Sequence, residues 1–150
     1  MNLSRTRSLR PALTYLGAAP FLICALCLAL GLERAPLIGE PAQAAASYGL
    51  TIASFLAGAH WGQHMWVGAR SGIDLRLSSV GAALAAWGGY LWLSPAWFFV
   101  ALIAVFGALL FVDALLRRAD LIDEGYFRLR GRVTAIVAAA LAVSAAASSG

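Results

Sequence analysis

Residues Tyr48 to Met65 read Y-G-L-T-I-A-S-F-L-A-G-A-H-W-G-Q-H-M and lie inside an uncharged run from Pro41 to Ala69. The run is apolar enough for a bilayer, yet it is the most polar of the long apolar runs in the chain. Both histidines of the protein, His60 and His64, fall here one helical turn apart, with Gln63 between them. Small residues recur every fourth position at Ser54, Gly58 and Gly62. Read as a helix, the stretch has a polar face and an adjacent small-residue ridge, the pattern of a packed transmembrane span.

The rest of the chain has the same character. Of its 150 residues, 61 % are hydrophobic and 12 % charged, with a mean hydropathy of +0.80. Soluble domains carry about a quarter charged residues, so this composition belongs to a membrane protein. The length suits one domain, without linker tracts or solenoid repeats. A net charge of +4 does not signal nucleic acid, because all eleven basic residues are Arg and ten of them fall in three short stretches between apolar runs. That distribution carries topology rather than a binding stripe.

Working outward, five spans are expected, at about residues 12–32, 44–67, 77–93, 95–112 and 133–148. The first uncharged run, Pro11 to Leu32, holds 22 residues and reaches ~33 Å, against a hydrocarbon core of about 30 Å. A signal peptide is the rival reading. The run exceeds the usual apolar region of such peptides, and the small-residue site Ala42-Gln43-Ala44 lies well beyond its end, so a retained span is preferred. Pro20, near its middle, removes one helix hydrogen bond and predicts a bend.

The 36 uncharged residues from Leu77 to Val112 are divided by Ser94-Pro95, a helix stop and start. Trp92, Trp97 and Tyr90 nearby suit a turn at a membrane face. Between Asp113 and Arg132, Asp113 and Arg117 have the spacing of a helical ion pair. Tyr126, Phe127, Arg128, Arg130 and Arg132 read either as an interfacial segment or as a solvated basic loop. Val133 to Ser148 is a short span unless its first turn begins within 127–132.

Counting Arg on the two sides gives three, two and five for the N-terminus, the second connection and the fourth, against Arg34 alone on the other side. The positive-inside rule then predicts a cytoplasmic N-terminus and an outside C-terminus.

The favoured packing contact joins the ridge Ser54, Gly58 and Gly62 to a second ridge, Gly81, Ala85 and Gly89, on the third span. Four readings compete for His60, Gln63 and His64. One is structural, with neutral imidazoles hydrogen-bonded across the bundle and His64 near the interface. A second is a proton or solute path using His60 and Gln63. The others are metal or haem handling by His60 and His64, for which one helix supplies too few ligands. No cofactor is expected. Cys24 and Cys27 read as packing residues, since hydrocarbon disfavours the thiolate. A contact between Asp113 and His64 is an option, but pairing of Asp113 with Arg117 is simpler.

Three blocks together resemble a known family. They are Tyr15-Leu16-Gly17-Ala18-Ala19-Pro20-Phe21, then Tyr48 through Ser54-Phe55-Leu56-Ala57-Gly58-Ala59-His60-Trp61-Gly62, and Tyr126-Phe127-Arg128-Leu129-Arg130. The chain resembles domain of unknown function 3429, a family of small multi-span membrane proteins that includes the mitochondrial transmembrane protein 69. The resemblance implies a compact helical membrane protein and carries over no reaction. His60, Trp61 and Gly62 match its distinctive block, His64 lies just beyond it, and Ala57 stands where the pattern has Gly.

The expectation is therefore an all-α five-span bundle of a bacterial cytoplasmic membrane, without catalysis of its own. Its partners would be the lipid bilayer and other membrane proteins, not nucleic acid. Its role would be structural or in assembly, with the carrier and metal or haem readings as alternatives.

Overall fold

The computed structural model describes residues 12–149. Arg5, Arg7 and Arg10, which enter the orientation argument, lie outside the described residues. Among the described residues a first helical turn at 12–16 is followed by five longer α-helices: α1 (Ala19–Ala29), α2 (Pro41–Val67), α3 (Leu75–Trp92), α4 (Pro95–Arg118) and α5 (Glu124–Ala147), with a 3-10 turn at Gly68–Ser71 between α2 and α3. No strand forms among the described residues; a single isolated bridge joins Ala35 and Gly39. Among the described residues three stretches, Ala12–Ala29, α4 and α5, are long and apolar enough to cross a membrane; α2 and α3, where spans at 44–67 and 77–93 are expected, are not among them because their composition is less apolar.

Local chemistry accounts for the helix boundaries. Proline opens α2 at Pro41 and α4 at Pro95, where its missing N–H is no loss. Ser94 occupies the N-cap of α4, but its hydroxyl makes no capping bond, so the proline and the extended serine backbone define this start. Asp74 caps α3 by accepting from the Arg76 amide at 2.9 Å. Asp123 caps α5 by accepting from the Gly125 and Tyr126 amides at 2.8 and 3.2 Å. At the end of α4, Asp120 takes a left-handed backbone, φ 55°, and the Leu121 amide reaches back to the Leu116 carbonyl at 2.9 Å. This is a helix stop usually given to glycine, and Asp is among the few other residues that adopt it readily.

The bend expected at Pro20 is a break. Residues 12–16 form a helical turn, Gly17 and Ala18 leave the helix, and α1 begins at Ala19. Proline at position 20 clashes with the carbonyl four residues earlier, that of Leu16, which is where the first turn ends. The break presents the Gly17 carbonyl to α2, and Tyr48 donates its hydroxyl to it at 2.9 Å.

The last helix is longer than expected. It starts at Glu124 rather than Val133, so its 24 residues reach ~36 Å. The basic segment that read as an interfacial stretch or a loop forms its first turns.

α4 is the central helix. Phe98, Phe99, Leu102, Val105, Phe106, Leu109, Asp113 and Leu116 recur at three- and four-residue spacing and are all buried. The helix packs against α5, α3 and α2, while α1 lies against α2 and α5. Phe21 of α1 closes this core, its ring 5.0 Å from Tyr48 and 6.1 Å from Phe106.

α2 and α3 pack closely, but not through the two expected ridges. Ser54, Gly58, Gly81 and Ala85 are exposed, and a Cβ placed on Gly58, Gly62 or Gly81 meets nothing within 4 Å. Gly89 does make a close approach, to Phe98 of α4, 3.2 Å from its Cβ position. The contact lies one position round each helix. Ala53 and Ala57 are buried on α2, Ser79 and Ala86 on α3, and the Ser79 hydroxyl donates to the Ala57 carbonyl at 2.6 Å. The reason is the polar face. His60 belongs inside, and a turn of 3.6 residues brings Ala53 and Ala57 in with it while rotating Ser54 and Gly58 out.

Candidate functional site

Three helices bring one polar side chain each to a common point inside the bundle. His60 on α2 is 2 % exposed and Asp113 on α4 is fully buried; the Arg130 side chain on α5 is 11 % exposed. His60 Nε2 lies 2.9 Å from Asp113 Oδ1. Arg130 Nε donates to Asp113 Oδ2 at 3.0 Å, and its Nη2 lies 3.0 Å from the same oxygen.

The protonation pattern follows from the partners. Arginine is always a cation, and Asp113 is the carboxylate that balances it. A carboxylate only accepts, so His60 Nε2 carries the proton and donates. In the neutral ring Nδ1 then keeps its lone pair, and this atom is buried without a partner.

The expected candidates separate here. His60 faces inward. His64 and Gln63 are half-buried, and their Nδ1 and Oε1 atoms are also buried without partners, but Asp113 takes His60 rather than His64. The expected pairing of Asp113 with Arg117 does not form. Asp113 points into the core, while Arg117 points out, 3.5 Å from Glu124 and with its guanidinium 5.5 Å from the Phe127 ring centroid. Cys24 and Cys27 are free thiols in α1. Among the described residues no three His, Cys, Asp or Glu side chains gather as a metal-ligand group.

Arg130 is the participant that the sequence reading placed elsewhere. Its signal is the register of the last helix: Val137, Leu141 and Ser144 are buried, and the same face carried back by seven residues from Val137 reaches Arg130.

Beside this network a cavity of about 420 Å³ opens between α1, α2 and α5. Phe21, Phe106 and Val137 form its buried floor, and Leu13, Phe55 and Tyr126 its exposed mouth. Arg130 lines it as well, so one side chain serves both the ion pair and the cavity.

The three sequence blocks therefore meet in space. Gly17 and Phe21 come from the first, Tyr48 and His60 from the second, Tyr126 and Arg130 from the third. A family model described as "Protein of unknown function (DUF3429)" matches residues 8–146 and so takes in all three. The chain belongs to this DUF3429 family. Searches of curated proteins and of solved structures gave no match. What the DUF3429 chain offers toward function is thus its own geometry: a buried ion pair, a histidine attached to it, and a cavity alongside.

Proposed function

We propose that this DUF3429 protein is a five-span protein of the bacterial cytoplasmic membrane with a structural or assembly role rather than a catalytic one. The observation that carries this reading is that both oxygens of buried Asp113 are occupied, one by His60 and one by Arg130. A carboxylate so engaged ties α2, α4 and α5 together, which is a structural task. Among the described residues no nucleophile bonds His60 Nδ1, the position a third member of an acyl-transfer site would take.

The five-span topology, with the N-terminus cytoplasmic and the C-terminus outside, draws support from two directions. His60 lies late in α2, Asp113 late in α4 and Arg130 early in α5, as expected for helices alternating in direction. The connections at that end are the Arg-rich ones, which favours placing it on the cytoplasmic side.

Assembly draws on the outward small-residue ridges, where a neighbouring transmembrane helix can approach closely. A photo-cross-linking residue at Gly58 or Gly81 should give a discrete adduct in native membranes, with a control at Val143 giving none. Adducts from neither ridge, together with a monodisperse monomer in mild detergent, would remove the assembly role.

One observation favours a second reading, a proton or solute path. His60 Nδ1, Gln63 Oε1 and His64 Nδ1 are three buried polar atoms without partners within one helical turn, and intramembrane polar groups of this kind commonly mark pathways. Proton flux in proteoliposomes that is the same for wild type and His60→Ala ends this reading.

A further inference from the structure

The cavity beside Arg130 has one consistent chemistry. Its floor is aromatic and aliphatic, with Phe21 and Phe106 buried beneath it. Its polar lining is one guanidinium, Arg130, and the hydroxyls of Tyr126, Thr134 and Thr14, with no carboxylate among the lining residues. A guanidinium has five N–H donors in a planar fork, and the bonds to Asp113 use only Nε and Nη2. Arg130 therefore retains donors beyond those that hold Asp113, and Asp113 fixes the guanidinium plane before any ligand arrives. At about 420 Å³ the space falls within the roughly 300–1,000 Å³ of small-molecule sites.

The placement of the lining matters as much. Leu13, Thr14 and Gly17 come from the start of the first span, and Tyr126 and Arg130 from the first turns of α5. These are the ends assigned to the cytoplasmic side. Phe106 and Val137 lie further along their helices. The cavity thus runs from the interface toward the bilayer centre, polar at the first and apolar at the second, with an exposed mouth between α1, α2 and α5.

We infer that this cavity is a specific site for an anionic amphiphile, one acyl chain lying over Phe21 and Phe106 and the oxyanion head held by Arg130 with Tyr126 and Thr134. Arginine recognises carboxylate and phosphate oxygens through paired, charge-assisted N–H bonds, and the chain replaces bilayer contacts with aromatic ones. A free fatty acid and an anionic phospholipid share this chemistry. The inference rests on the membrane reading, whose failure shows separately, as release of the protein from membranes by alkaline carbonate.

The test is photolabelling in phosphatidylcholine nanodiscs with a diazirine-bearing palmitate and, in parallel, its methyl ester. Adducts mapped by peptide mass spectrometry should concentrate on residues 13–21, 52–56 and 126–137, and the methyl ester should label these much less. Thr134→Phe, which fills the cavity, should reduce this labelling about tenfold, as loss of 1.4 kcal/mol of binding would. Should that variant fail to accumulate, Phe55→Trp is read in its place, since Phe55 is 70 % exposed at the mouth and tolerates a larger ring. Unlabelled palmitate and phosphatidylglycerol are the competitors, and the one effective at lower concentration names the source. Labels spread evenly over the exposed faces of α1, α3 and α4, equal labelling by the methyl ester, or no competition by either lipid would each overturn the site.

Discussion

Gly58 and His60 stand two residues apart on α2 and live in opposite environments. His60 is held against Asp113 inside the bundle, 2 % exposed, whereas a side chain added at Gly58 meets nothing. The inward face, Ala53, Ala57 and His60, combines close backbone approach with one ion-pair network. The outward face, Ser54, Gly58 and Gly62, has the same small-residue spacing, yet Ser54 and Gly58 are exposed and a Cβ on Gly58 or Gly62 meets nothing within 4 Å among the described residues. Spacing alone therefore does not tell an internal packing seam from an outer one. What separates them is the polar side chain, because a buried imidazole has to find its carboxylate and that requirement sets the helix rotation.

The comparison breaks most completely at Asp113. Asp113→Ala leaves Arg130 as an uncompensated buried cation and should destabilise the bundle by about 3–5 kcal/mol. Thermal unfolding in detergent measures it. A sharper version replaces the whole network, with His60→Leu, Asp113→Leu and Arg130→Met together. Removing every charge avoids the unpaired cation, so the triple variant should recover much of what Asp113→Ala loses. If the triple variant is the less stable of the two, the network contributes more than mutual compensation.

A matched pair on α2 tests the two faces directly. Ala57→Leu forces a large side chain into a filled seam beside Ser79 and should cost about 1–3 kcal/mol. Gly58→Ala should cost nothing and can gain up to about 1 kcal/mol through helix propensity. Equal effects at 57 and 58 in the same unfolding assay would show that the rotation assigned to α2 is wrong.

Much of this arrangement was legible before the structure. The apolar runs and the Ser94-Pro95 division are local signals, and α2, α3 and α4 begin close to where those signals put them, whereas α5 begins at Glu124, well before Val133. The break near Pro20 was anticipated as a bend, and its position followed from the Leu16 carbonyl. The site was half legible. His60 stood out because a polar residue in an apolar run needs a partner. Asp113 and Arg130 sit at the ends of apolar runs, where charges are ordinary, so nothing local set them apart from Arg117 or Arg128. Their periodicity did: Asp113 continues Leu102, Phe106 and Leu109, and Arg130 continues Val137 and Leu141. Choosing which acid meets which base is a tertiary matter: Asp113 and Arg117 are near neighbours on α4, but the Asp113 carboxylate turns inward to His60 and Arg130 while the Arg117 side chain turns outward to Glu124.

Ser79 offers a smaller test of the inner seam. Its hydroxyl donates to the Ala57 carbonyl across the α2–α3 contact. That carbonyl also belongs to a helix, so Ser79→Ala removes a supplementary bond and leaves a small apolar residue in its place. The expected loss is about 0.6 kcal/mol, the average for hydrogen bonds between transmembrane helices. A loss several times larger would mean that the hydroxyl, rather than the alanines, holds the two helices together.

The smallest effect belongs to the other Asp–Arg pair. Asp74 and Arg76 repeat the chemistry of Asp113 and Arg130, but two residues apart and at the surface, with side-chain exposures of 35 % and 54 %. The Arg76 side chain, hydrogen-bonded to the carboxylate, and the Arg76 backbone amide draw Asp74 from an ordinary 3.8 down to about 2. A depressed carboxyl pKa stabilises the fold when the group is ionised, so the contribution is present above about pH 4 and is lost as pH falls toward 2. Because both charges are solvated, the pair contributes little to overall stability. The difference in melting temperature between wild type and Asp74→Asn should therefore be small at neutral pH and vanish on acidification through that window. A carboxyl titration followed by NMR should place the Asp74 midpoint near 2. A midpoint at the ordinary value would mean that Arg76 does not hold the cap in solution, and that acid–arginine pairing in this chain acts only where the bundle excludes water.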